Sequence, residues 1–104
     1  MATELVVIPK STHNILRRLT GESRPDVALS LALKQLIRLR IESAKADLAS
    51  FEKKYDMTFT EFEGAWIDGR IEDAYSYPVE QDYMEWEATV TDLAALQEIL
   101  QWQA

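Results

Sequence analysis

Apolar and polar residues alternate with three different rhythms along this chain. At the start, Leu5-Val6-Val7-Ile8 follows Thr3 and Glu4, and this run rich in β-branched side chains predicts a short strand over 3–8. Pro9 ends it. Ile15, Leu16 and Leu19 then fall on one stripe of a short helix, with Ser11 as its expected N-cap. Gly21 stands where a helix C-terminus takes a left-handed residue. Ser23-Arg24-Pro25-Asp26 restarts the chain: a capping serine, a proline suited to the first turn, and an acid at the positive end of the dipole.

From Pro25 no Gly or Pro occurs until Gly64. Leu29, Leu33, Leu36 and Ile37 share one face, and Ile37, Ile41, Ala44, Leu48, Phe51 and Tyr55 follow at alternating spacings of four and three. This is a heptad seam on a helix predicted over about 24–54, roughly 45 Å long at ~1.5 Å per residue. Such a rod needs a second chain or the C-terminal helix against its seam. Thr58-Phe59-Thr60-Glu61 fits a capping box and opens a helix bearing Phe59, Phe62 and Trp66, closed near Gly69. A loop is expected over 70–78. A last helix from about Val79 to Trp102 carries Val79, Tyr83, Trp86, Val90 and Leu93 at four-three spacing, continued by Leu96 and Leu100.

Charge divides the same chain in two. Residues 1–54 hold ten Lys/Arg and six Asp/Glu, whereas residues 55–104 hold Arg70 alone against twelve Asp/Glu. The balances of +4 and −11 restore the net charge of −7. All the aromatic residues except Phe51 lie in the second part. Two jobs are one consequence, since a basic patch attracts nucleic acid while an acidic segment attracts basic partners. Electrostatic pairing of the two halves with each other is the alternative.

Other readings narrow the class. With three Gly and three Pro in 104 residues, a turn-rich all-β fold is not expected. The absence of Cys excludes disulfides and thiolate metal sites. No apolar run is longer than Leu5–Ile8, far short of the ~20 residues that span a bilayer. The N-terminus does not read as a signal peptide, and a cytoplasmic protein is expected. His13 is the only histidine and reads as a surface or capping residue; no catalytic residue, metal or cofactor is expected. Glu80, Asp82, Glu85 and Glu87 lack the glycine turn and ligand spacing of a calcium loop, and read as a solvated helix face.

The N-terminal order resembles the ribbon–helix–helix fold of small prokaryotic repressors and antitoxins, over about residues 3–40. Leu5 to Ile8 would be the ribbon, Ile15, Leu16 and Leu19 the first-helix core, Gly21-Glu22-Ser23 the turn, and Leu29, Leu33 and Leu36 the second-helix core. The resemblance implies a dimer whose paired strands enter the DNA major groove. Neither face of this strand offers an Arg, Lys or Asn to a base edge. Lys10, Arg17, Arg18 and Arg24 remain as phosphate contacts. Phe51-Glu52-Lys53-Lys54-Tyr55-Asp56-Met57-Thr58-Phe59, with Phe62 and the run from Val79 to Ala88, is similar to antitoxin components encoded beside small toxins in type II toxin–antitoxin systems.

These resemblances imply a mainly α fold: a short N-terminal strand, ribbon–helix–helix-like helices, one long central helix and a C-terminal amphipathic helix. Residues 1–54 would form the dimerisation module, through Leu5, Val6, Val7, Ile8, Leu33, Leu36, Ile37 and Ile41. Residues 55–104 would form the acidic partner-binding region, through Glu72, Asp73, Tyr75, Tyr77, Glu80, Tyr83 and Trp86. The implied function is an antitoxin that neutralises a small RNA-cleaving toxin and represses its own operon as a homodimer bound to operator DNA. A helical dimeric adaptor without DNA contact is the alternative. Tyr83 and Trp86 have the spacing of core residues facing the heptad seam, which competes with their role as partner anchors.

Overall fold

The computed structural model describes residues 7–102. Four helices follow one another: α1 (Lys10–Thr20), α2 (Pro25–Tyr55), α3 (Phe59–Ile67) and α4 (Tyr77–Trp102). None of the helices is long and apolar enough to cross a membrane.

The boundaries follow local chemistry. Gly21 ends α1 at φ 74°, a left-handed conformation that costs glycine nothing, and its N–H reaches the Arg17 carbonyl. The His13 ring donates from Nε2 to the Ser23 carbonyl oxygen at 3.0 Å, tying α1 to the turn that follows it. At the start of α2, Pro25 pushes the residue before it out of the helical region. Arg24 therefore sits at φ −82°, ψ 121° and becomes the N-cap in place of the expected Ser23. Ser11 likewise lies inside α1, because Pro9, extended at ψ 145°, already occupies the cap. Thr58 and Glu61 form the reciprocal capping box their sequence predicts.

The expected N-terminal strand is overturned. Val7 and Ile8 have no strand structure, Val7 is almost wholly exposed, and the described residues contain no strand at all. The Leu5 and Val6 part of that expectation lies outside the described residues. β-Branched residues favour a strand where a pleated neighbour covers them, and among the described residues no second strand stands beside Val7 and Ile8.

α2 and α4 run antiparallel, since Phe51 and Tyr55 meet Trp86 while Ile37 and Ile41 meet Leu96. The heptad seam of α2 is thus filled from within the same chain. This corrects Ile37 and Ile41 as dimerisation residues: both are buried with Leu96, flanked by Leu93 and Leu100. α1 packs on α2 around Leu16 and Ala28, the two buried residues of that end. The result is elongated, 56 × 30 × 19 Å, with a radius of gyration of 19.8 Å; a compact globule of this length would have about 13 Å.

Candidate partner-binding surface

The end of the molecule formed by α3 and the first half of α4 is built on aromatic rings. Trp86 and Phe62 are fully buried there, with ring centroids 5.0 Å apart. Phe51 and Tyr55 stack on Trp86 from α2, and Phe59 meets it edge-on from α3. Trp86 is therefore a core residue, which corrects its expected place as a partner anchor. Its four-three spacing with Val79 and Tyr83 points it at the seam of α2, where burial of an indole is worth far more than at a surface. Tyr83 is half-buried against Phe59, Phe62 and Trp66, and its hydroxyl donates to Glu63 at 3.0 Å. Burial, then that carboxylate, pushes its phenol above the usual range.

One polar cluster braces this end. Asp82 on α4 accepts from both Lys54 Nζ and the Tyr55 hydroxyl at the end of α2. Burial opposes ionisation of Asp82, but the hydrogen bonds from Lys54 and Tyr55 outweigh it and hold the carboxyl below its ordinary value. Tyr55 responds oppositely: burial and the neighbouring carboxylate raise its phenol.

Outside this core lies an exposed rim. Residues 71–76 form turns, with Asp73 left-handed at φ 55°, and α4 begins at Tyr77, two residues earlier than the sequence suggests. Tyr75 is 86% exposed, with its ring T-shaped to Trp66 at a centroid distance of 6.0 Å; Tyr77 is 77% exposed. Glu72, Asp73 and Glu80 are exposed around them, and none makes an ion pair among the described residues. Glu72, Asp73, Tyr75, Tyr77 and Glu80 are thus all exposed along the turns and the first turn of α4, whereas Tyr83 is half-buried and Trp86 buried.

Sequence reasoning missed Ile67 and Met84, both large, apolar and more than two-thirds exposed. Met84 and Tyr77 line a shallow hollow of about 300 Å³ with Glu80, Gln81 and Glu85. The signal was present: Met84 sits among Tyr83, Glu85 and Trp86 but falls off the stripe that those aromatic residues define. No group of three or more acidic or histidine side chains among the described residues is arranged to hold a metal ion.

At the other end, Lys10, Arg17 and Arg18 are exposed on α1, while Arg24 is paired with Glu22 through Nε at 3.3 Å. Leu33 and Leu36 are 41% and 53% exposed on α2, and Ile15 and Leu19 are exposed on α1. The surface thus separates into a cationic, leucine-bearing end and an acidic, aromatic end. No protein-family model matches the chain, and no curated protein or solved structure is similar to it.

Proposed function

We propose that this chain is an antitoxin-type binding module, whose α3–α4 end captures a small cationic protein toxin. The observation that carries the reading is the acidic rim: Glu72, Asp73 and Glu80, with no ion pair among the described residues, flank exposed Tyr75 and Tyr77 along the chain, next to the aromatic core. A ribonuclease toxin holds RNA phosphates with a cationic surface. Carboxylates at the rim steer such a surface into contact, and desolvated tyrosines supply the larger part of the affinity. Homodimerisation belongs to the opposite end, where Leu33 and Leu36 of α2 stand uncovered. DNA contact is not needed by this reading; the ribbon that suggested it is overturned, and Lys10, Arg17 and Arg18 are left as exposed cations without a groove-reading element.

The test is co-expression with the protein encoded beside it, scored by growth rescue and by binding kinetics on the purified pair. Tyr75→Ala and Tyr77→Ala are each expected to weaken binding, by about 2 kcal/mol for a hot-spot residue, with the fold intact. Reversing the charge at Glu72 and Asp73 is expected to slow association and flatten its salt dependence. Normal binding by all these variants would refute the assignment.

A further inference from the structure

α4 carries two stripes, and the fold uses one. The inner stripe faces α2 through Trp86 and Leu96. On the opposite side, Tyr77, Gln81, Met84, Ala88, Thr91 and Ala95 recur at alternating spacings of four and three, and every one of them is exposed. At about 100° per residue, Met84 lies roughly 160° round the helix from Trp86. A helix with apolar residues on two opposite faces belongs between two neighbours. Among the described residues, no element of this chain covers the second face.

Charge identifies the missing neighbour. Glu80 and Glu87 flank the outer stripe on one side, Glu85 and Asp92 on the other, and residues 71–104 contain no Lys or Arg. A second copy docking on this face would bring the same four carboxylates against their like, which the flanking positions of a helix pair do not tolerate. A helix with Lys or Arg at those positions would meet them in register. In the middle of the stripe, Ala88, Thr91 and Ala95 are small enough for close approach of a second backbone. At its start, the hollow between Tyr77 and Met84 has room for a side chain of the partner.

We infer that the outer face of α4 is a docking seam for an amphipathic helix with basic flanks, supplied by another protein. The inference rests on the cationic-partner reading above and specifies its mode: helix against helix along α4, not charge alone.

The experiment uses the full chain and three synthetic peptides of 21 residues. The first is an amphipathic helix with Leu and Ala on its seam and Lys on both flanks. The second has the same composition scrambled, and the third has Glu at the flanks. Affinity is read by calorimetry and the contact surface by amide shifts in NMR. The ordered Lys peptide is expected to bind at least 10-fold more tightly than the scrambled one, to shift the amides of residues 77–95, and to be lost at high salt; the Glu peptide is expected not to bind. Met84→Asp with Ala88→Glu is expected to lower the affinity at least 10-fold with an unchanged melting curve. Tyr77→Asp, at the exposed first residue of α4, repeats the test should that double variant melt lower.

Equal binding of ordered and scrambled Lys peptides would overturn the helical seam and leave the cationic-partner reading standing. Binding indifferent to the outer-face variants would do the same. Failure of both Lys peptides to bind would remove both readings. Self-association of the free protein that Met84→Asp abolishes would assign the face to a second copy and overturn the inference.

Discussion

Trp86 offers the sharpest test of the packing, because its two halves act in opposite directions. The ring is fully buried, with Phe51, Tyr55, Phe59 and Phe62 at centroid distances of 5.4, 5.8, 5.6 and 5.0 Å. Its Nε1–H is buried as well and finds no acceptor among the described residues. Trp86→Ala removes the ring that all four neighbours share, and such core truncations cost about 3–5 kcal/mol. Against a total stability of roughly 5–15 kcal/mol, that is a large share. Trp86→Phe is a different perturbation. It gives up about 40 Å² of apolar surface, or ~1 kcal/mol at ~25 cal/mol per Å², and leaves a small cavity worth a similar amount. It also deletes a buried donor whose unmet hydrogen bond costs about 1–3 kcal/mol. The two contributions offset each other, so Trp86→Phe is expected within about 1 kcal/mol of the parent. Urea unfolding followed by far-ultraviolet circular dichroism measures both variants without relying on the indole's own fluorescence. A phenylalanine variant as unstable as the alanine variant would refute the reasoning, since the indole N–H would then be contributing a bond of its own.

Asp82→Asn is expected to destabilise the fold by about 1.5–3 kcal/mol near neutral pH, the usual worth of hydrogen bonds to a charged group. Because Asp82 ionises below its ordinary value of 3.8 when folded, its contribution is present above that value and lost as the pH falls through the lower folded one. Melting temperature against pH should therefore decline less steeply in acid for the Asn variant; parallel curves would mean that Asp82 does not carry this dependence. For the proposed homodimer, Leu33→Glu with Leu36→Glu is expected to give the monomer mass by light scattering with helical content unchanged, because both side chains are exposed in the protomer, and to lower the melting temperature by the lost dimer contact alone; an unaltered mass for the double variant would place the dimer contact elsewhere.

The helices were legible in the sequence where local chemistry dictates them. Thr58 and Glu61 announce α3, Gly21 ends α1, and the absence of Gly and Pro over residues 26–63 leaves α2 uninterrupted. Caps were less legible: Pro9 and Pro25 moved two helix starts away from Ser11 and Ser23, since the constraint of a proline ring overrides a capping preference. Heptad spacing identified the face of α2 that would be covered but not the chain that would cover it, so Ile37 and Ile41 were assigned to a partner and belong to α4. The strand over 3–8 rests on propensity alone, and at its described residues, Val7 and Ile8, no strand forms. In the acidic half, Tyr75 lies in the turns outside the helical period, whereas Tyr77, expected in the same loop, is the first residue of α4. Met84 was overlooked because the aromatic stripe running past it masks a second, weaker stripe with the same rhythm.

The elongated shape has a consequence for how the molecule comes apart. Burial is spread unevenly along α2: a ring-packed cluster at its C-terminal end, Ile37 and Ile41 at mid-length, and at the start, where α1 packs, Leu16 and Ala28 as the buried residues. Opening free energies scale with the apolar contact that each segment surrenders. The chain is therefore a graded zipper, in which α1 detaches at small cost while the aromatic end is still closed. A single cooperative transition would describe the latter and miss the former. Whatever covers the leucines of the first end adds its binding energy where the fold has least of its own, so occupancy of that end, and not the strength of the aromatic core, governs how often the N-terminal half of α2 stands open to water.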